Sequence, residues 1–460
     1  ILPLGPTSYG DSPYQSFSTY AGNPYFISLE DLIEEGVLTE KECEKLETES
    51  KEGNIDYKKL YEDRYPILRK AYERSNISEN PDYQQFLAEN EWWLSDYALF
   101  MAVKDRFEGR PWTEWAEDIR LRYGYAMDYY RRELYFDIEF QKYLQFTFYK
   151  QWNKLKAYVN SLGIRMIGDI PIYVAMDSAD AWANPSLFQL DEKNVPYAVA
   201  GCPPDGFSAT GQLWGNPLYR WEYHRQTGYE WWLKRLSHCF KLYDAVRIDH
   251  FRGFDQYYSI PYGAEDATRG HWEQGPGIDL FNRVRQVLGE KEVIAEDLGY
   301  VTDSVRKLVY DSGFPGMKVL EFAFDDTENS DYLPHKYTEN SIVYTGTHDN
   351  ETLVGWYENM NRRNKSFARE YMGCRHTPKK EMHWEFIRLA MASPAKLAVI
   401  PVQDYLGLGA EARINEPSTL GKNWKWRLLP GEITGDVLKQ CRRMAKLYGR
   451  LPETVSDINM

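Results

Sequence analysis

The chain has 460 residues, with 69 acidic against 55 basic side chains, and its formal net charge of −14 argues against nucleic acid and anionic membrane as partners. Hydrophobic residues make up 43%, enough for a large core, yet no run of about 18 apolar residues offers a membrane span. The cysteines (Cys43, Cys202, Cys239, Cys374 and Cys441) are odd in number and never spaced as CxxC, which argues against a disulfide framework or zinc site and for a reducing compartment.

The chain opens at Ile1 without a basic n-region or a signal-type apolar segment. Ile1-Leu2-Pro3-Leu4-Gly5-Pro6 reads as the end of a strand entering a loop, so residues upstream are expected to be missing from this sequence. Residues 5–26 have loop composition, rich in Gly, Pro, Ser and Tyr. Leu29, Leu32 and Ile33 open a short amphipathic helix that Gly36 closes. Trp93, Tyr97, Phe100 and Met101 recur at helical spacing and read as core. Phe140, Leu144, Phe148, Trp152, Leu155 and Val159 form a longer stripe with Gly163 as its C-terminal cap.

From 164 onward strands and helices alternate. Strands are expected near 164–170, 244–249, 292–296, 317–323, 341–346 and 397–402, and helices over 227–240, 278–288, 303–312 and 380–392. The connection 171–223 is too long for a simple loop and reads as functional or as a small subdomain. Three segments are expected: 1–27, an early strand end with an active-site loop; 28–160, a helical insertion and a barrel helix; and 161–460, the rest of a barrel. The fold class read from this pattern is α/β, a (β/α)8 TIM-like barrel with helical and loop insertions. Six strands and a fragment fall short of eight, so an N-terminal strand-helix-strand portion is expected to be missing.

Three acids each follow an apolar run of strand type. They are Asp249 after Ala245-Val246-Arg247-Ile248, Glu296 after Val293-Ile294-Ala295, and Asp349 after Ile342-Val343-Tyr344-Thr345-Gly346-Thr347-His348. In a (β/α)8 barrel a polar residue at the carboxyl end of a strand faces the active site. Arg247 and Asp249 share a strand face, so the cation favours an ionised carboxylate suited to nucleophilic attack, although Arg-x-Asp taken alone is more often a structural ion pair. Glu296, at an apolar strand mouth near another carboxylate, should hold its proton and suits a general acid; a bystander beside a helix-capping Asp297 is the plainer reading. A third acid can stabilise an oxocarbenium-like transition state, which is glycoside chemistry. The abundance of rings (36 Tyr, 20 Phe, 15 Trp) suits sugar stacking as well as packing.

The residues resemble a known family. Asp244-Ala245-Val246-Arg247-Ile248-Asp249-His250-Phe251-Arg252-Gly253, then Ala295-Glu296-Asp297-Leu298-Gly299, then Gly346-Thr347-His348-Asp349-Asn350 are similar to the amylomaltases, the 4-α-glucanotransferases of glycoside hydrolase family 77. The likeness extends to Gly10-Asp11-Ser12-Pro13-Tyr14-Gln15-Ser16, Gly22-Asn23-Pro24-Tyr25, Pro203-Pro204-Asp205-Gly206-Phe207-Ser208, Gly211-Gln212-Leu213-Trp214-Gly215-Asn216-Pro217 and Asn423-Trp424-Lys425-Trp426-Arg427. It spans essentially the whole chain.

The resemblance implies Asp249 as nucleophile, Glu296 as general acid then base, and Asp349 as stabiliser helped by Arg247 and His348. It implies substrate contacts at Ser12, Tyr14, Phe207, Trp214 and Asn423, and at Asp325, with Asp326 an alternative within the doublet. Tyr9 resembles part of a second glucan site, and 203–213 resembles a loop over the cleft. The expected activity is retaining transfer of α-1,4-glucan segments between maltodextrins through a covalent glucosyl-enzyme, with disproportionation and cyclic glucans as outcomes. Partners are α-1,4-glucans and maltooligosaccharides, with glucose or maltodextrin as acceptor; no cofactor or metal is expected, and no nucleic acid or membrane. The compartment is the cytoplasm, or the plastid stroma in a eukaryote. An α-amylase-type hydrolase would use the same acids, and a non-catalytic glucan-binding protein would lack one of them.

Overall fold

In the computed structural model, which describes residues 1–47, 53–204, 208–299, 301–325 and 329–451, the chain forms two units. One is Ile1–Glu49 with Tyr57–Gly313, the other Ser50–Asp56 with Phe314–Met460. The division falls inside the stretch expected as the rest of the barrel.

The first unit holds β1 (Ile167–Ile170), β2 (Ala198–Cys202), β3 (Gln212–Pro217), β4 (Ala245–Ile248), β5 (Gln256–Pro261), β6 (His271–Gln274) and β7 (Val293–Ala295). β1, β4 and β7 pair in parallel with β4 in the middle; Asp169 lies opposite Arg247, and Arg247 opposite Ile294. Their apolar side chains are buried on both faces, as in parallel sheets covered by helices. β2, β3, β5 and β6 form an antiparallel sheet in the order β3-β2-β5-β6. Two of these strands lie within the long connection 171–223, which is thus structured.

Local chemistry explains the helices of this unit. Asn80 caps Pro81–Arg106, its side chain accepting from the amides of Asp82 at 2.9 Å and Tyr83 at 3.2 Å, with Pro81 in the first turn where no amide is needed. Trp93, Tyr97, Phe100 and Met101 are buried, as their spacing predicts. Tyr135–Ser161 ends at Gly163, which adopts φ +76°; the amide of Gly163 donates to Asn160 O at 2.9 Å and that of Ile164 to Val159 O at 3.3 Å, a Schellman closure. The core stripe of this helix stops at Trp152: Leu155 is exposed and Val159 half-buried, so the apolar period outlasts the surface it covers.

The second unit holds β8 (Gly316–Val319), β9 (Ser341–Tyr344) and β10 (Leu397–Val399), parallel, with β9 in the middle. The helices Leu353–Asn359 and Met382–Ala392 bury Tyr357, Phe386 and Met391 with Phe324. All six parallel strands and the helices Ile278–Leu288, Asp303–Ser312 and Met382–Ala392 match the expected stretches to within a few residues. The fold is α/β of the TIM-like class, parallel strands alternating with helices.

Gly168 tests the packing behind β1. A Cβ there would lie 2.3 Å from the ring of buried Tyr243, which follows the helix Glu230–Leu242 and leads into β4. Gly168→Ala should lower stability by about 1–3 kcal/mol, the range for overpacking, read as a lower urea midpoint at unchanged slope.

Candidate active site

The ladder of the first unit continues past the strands: the Asp249 amide donates to Ile170 O at 2.9 Å, the Glu296 amide to Ile248 O at 3.1 Å, and the Phe251 amide to Glu296 O at 3.0 Å. With Ile248 opposite Ala295, Asp249 and Glu296 occupy the next register positions on adjacent strands. Adjacent strands lie about 4.8 Å apart.

Arg247 is buried and bridges two acids. One of its nitrogens, Nη1, donates to both oxygens of Asp169, at 2.8 and 2.7 Å, and Nη2 lies 3.0 Å from Asp249 Oδ1. Burial opposes the guanidinium charge, but Asp169 and Asp249 outweigh it and hold the Arg247 pKa well above its ordinary value. The Tyr14 hydroxyl donates to Asp169 Oδ2 at 2.8 Å, and burial together with that carboxylate keeps the phenol protonated. Ser12 braces the turn that presents Tyr14, its Oγ 3.3 Å from the Tyr14 amide.

Glu296 is held by main-chain donors: the His250 amide reaches Oε2 at 2.6 Å and the Leu298 amide Oε1 at 2.9 Å. Burial raises its pKa, and Asp297 adds to this, against the lowering effect of Arg247 and the two amides. The direction is the one expected of a general acid; the neighbouring like charge that contributes is Asp297.

His250 sits at φ +50°, in the left-handed region unusual for a side chain with a Cβ. Burial, with Arg252 nearby, lowers its pKa to about 3, so the imidazole is neutral at physiological pH. Its Nε2 has no hydrogen-bond partner among the described residues. The ring stands edge-on to Trp214, with centroids 4.9 Å apart, and Tyr173 lies 6.3 Å from Trp214. Trp214, half-buried on β3, donates through Nε1 to Gln212 Oε1 at 3.1 Å.

The second unit carries the other predicted residues. Asp349 follows β9 with 44% of its side chain exposed; Asn415 Nδ2 donates to its Oδ1 at 2.6 Å, and His348 Nε2 lies 3.4 Å from that oxygen. Arg413 donates to the Asp349 carbonyl at 2.7 Å. Trp424 packs 5.8 Å from the His348 ring. Asn423 spends its amide on the loop 416–423: Oδ1 accepts from the Glu416 amide at 3.0 Å and Nδ2 donates to Thr419 O at 2.9 Å. Asp325 is exposed. Phe207, Asp326 and the side chain of Tyr9 lie outside the described residues.

Asp169, His250, Arg413 and Asn415 belong to these constellations and were not singled out in the sequence. Asp169 carries the same mark as the three acids, an acid closing the apolar run 164–168. His250 adjoins Asp249. Arg413 and Asn415 stand in irregular chain more than sixty residues from Asp349 and carry no local signal. Among the described residues no group of His, Cys, Asp and Glu is arranged to hold a metal ion.

Comparison with known proteins gives a consistent result. The family model described as 4-alpha-glucanotransferase, Glyco_hydro_77, matches residues 1–432. A 4-alpha-glucanotransferase of Clostridium butyricum is 45% identical over 452 residues, covering 98% of this chain and 92% of its own. That of Thermus thermophilus is 46% identical over 461 residues, covering 98% and 91%. The solved amylomaltase of Streptococcus agalactiae in complex with acarbose superposes with a TM-score of 0.94 at 40% identity, covering 98% of this chain and 92% of that one.

Removing the Arg247 guanidinium would leave buried Asp169 and half-buried Asp249 without their cation. Arg247→Ala should cost about 3–5 kcal/mol, the range for breaking one side of a buried ion pair, measured by chemical denaturation.

Proposed function

The chain belongs to the 4-alpha-glucanotransferase family, glycoside hydrolase family 77, and from that premise we propose how its side chains divide the reaction. Its activity is transglycosylation, the movement of α-1,4-glucan segments between glucans. Asp249 attacks the anomeric carbon as Glu296 protonates the departing 4-oxygen, leaving a covalent glucosyl-enzyme. Glu296, now a base, takes the proton from the 4-hydroxyl of an acceptor glucose or maltodextrin, which displaces Asp249 with overall retention. Asp349 stabilises the positive charge that builds in each transition state, with His348 beside it.

The observation that carries this reading is the register of β4 and β7. It sets Asp249 and Glu296 side by side, and the strand spacing of about 4.8 Å suits the roughly 5–5.5 Å of a retaining pair better than the wider gap of an inverting one. Their surroundings differ as the two roles require: Arg247 lies 3.0 Å from Asp249, while burial raises the pKa of Glu296.

We assign sugar contacts to Ser12, Tyr14 and Trp214 in the first unit, to Asp325 and Asn423 in the second, and to Phe207 in the 203–213 segment. Tyr9 is assigned to a second glucan site. Half-buried Trp214 offers a ring face to a pyranose, and the neutral His250 can donate to or accept from a hydroxyl. Transfer outruns hydrolysis when the acceptor is held in near-attack geometry with water excluded. We place the protein in the cytoplasm, because its five cysteines are odd in number and never spaced as CxxC, a usage that suits a reducing compartment.

Maltotriose is the discriminating substrate. Glucose together with maltopentaose and longer oligomers from the first time points is the expected profile; glucose and maltose in equal amounts, with nothing longer, would identify a hydrolase. Glu296→Gln should lower transfer by about 10²–10⁴-fold while calorimetry still detects glucan binding. Because Glu296 must be protonated to start the cycle, the rate of forming the glucosyl-enzyme from maltotriose should fall as pH rises through its elevated pKa.

A further inference from the structure

Three more acids lie at the strand ends of the second unit, and the mechanism uses none of them. Glu321 follows β8, Glu351 lies in the loop after β9, and Asp404 follows β10. Glu321 and Asp404 are buried, and Glu351 is mostly so. One cation faces the group: Arg413 Nη1 lies 3.8 Å from Glu351 Oε2. Asp404 is satisfied, accepting from Thr345 Oγ1 at 2.6 Å and the Leu353 amide at 2.9 Å. Glu321 is less so. Its Oε1 has no hydrogen-bond partner among the described residues, and the Asn350 side chain lies near enough to oppose the rise of its pKa.

The contact with Asn350 bears on Asp349, the residue before it. Asn350 Oδ1 accepts from the Thr347 amide at 2.9 Å and from Thr347 Oγ1 at 2.8 Å, folding the turn that carries Asp349. That leaves the Asn350 amide nitrogen available to Glu321. The main chain adds a second tie, the Glu321 amide donating to Thr345 O at 3.3 Å. Gly346 permits the approach, for a Cβ there would come 2.8 Å from Glu321 Oε1 and 3.1 Å from the Asn350 Cβ.

We propose that Glu321 is a positioning residue for glucan transfer: through Asn350 it fixes the turn after β9, and through that turn the carboxylate of Asp349. The proposal rests on the reading of Asp349 as the stabilising acid. Glu321 does this in its neutral form. Burial raises its pKa well above the ordinary value, and Asp404 and Glu351 add to this against Arg413 and Asn350. Ionisation would set a further negative charge against Asp404 and Glu351 with no added cation and loosen the turn. The sign follows: an acid whose pKa is raised by folding leaves the site intact at low pH and disturbs it as pH rises through that value.

The test compares Glu321→Gln, which keeps a neutral hydrogen-bonding group of the same shape, with Glu321→Ala. On maltotriose, Glu321→Ala should lower kcat about tenfold or more with KM within about twofold, and Glu321→Gln should recover most of that loss, since misplacing a catalytic group by about 1 Å can cost 10²-fold. The pH profile is read with α-maltosyl fluoride as donor and maltose as acceptor, because fluoride leaves without a proton from Glu296. The wild-type rate should fall on the alkaline side and that of Glu321→Gln should stay level. Equal losses in the two variants, wild-type kcat in both, or coincident pH profiles would overturn the proposal; if Glu321→Ala does not fold, the profile of Glu321→Gln decides. Asp349→Asn separates the two layers: if it retains kcat, the reading of Asp349 fails, whereas an inactive Asp349→Asn beside wild-type-like Glu321 variants leaves that reading standing and refutes the role of Glu321.

Discussion

Arg247 lies buried between Asp169 and Asp249, and the two acids hold its guanidinium charged. A lone guanidinium taken out of water would cost several kcal/mol, so it persists because carboxylates flank it on both sides. In the proposed mechanism the same ion pair serves the chemistry, holding the Asp249 carboxylate in place for attack on carbon. Glu296, one strand over, takes its hydrogen bonds from neutral amides, and burial raises its pKa against their opposing effect.

Much of the first level of structure is legible in the sequence because parallel strands and their covering helices have simple signatures. Val293-Ile294-Ala295 and Ala245-Val246-Arg247-Ile248 are short apolar runs bounded by polar residues, and Gly163 and Gly36 close helices where the amphipathic period stops. The antiparallel sheet was not legible. β2 reads Ala198-Val199-Ala200-Gly201-Cys202 and β3 contains Gly215, Asn216 and Pro217, a composition that local pattern assigns to loop. Those strands exist because β2 finds partners on both sides, information that resides in distant residues.

The site shows the same division. Asp249 and Glu296 could be read from their place at strand ends, and Asp169 could have been by the same rule. The partners that hold them were hidden: the acceptor for the Tyr14 hydroxyl is 155 residues away, and Asn415 is 66 residues from the carboxylate it grips. For Asn423, sequence alone could not show that the side chain is occupied in tying its own loop.

The left-handed turn at His250 bears on how the catalytic cycle keeps its aim. A residue with a Cβ in that conformation gives up about 1 kcal/mol or more; in exchange its main-chain N–H meets Oε2 of Glu296, as the amide of Leu298 meets Oε1. Peptide groups do not titrate in water, and rotating them means moving the chain. In the proposed mechanism Glu296 passes from acid to base and back in every turnover, and a side-chain partner with a proton of its own would be drawn into each exchange. Clamped at both oxygens by peptide nitrogens, the carboxyl can change charge twice per cycle without changing direction.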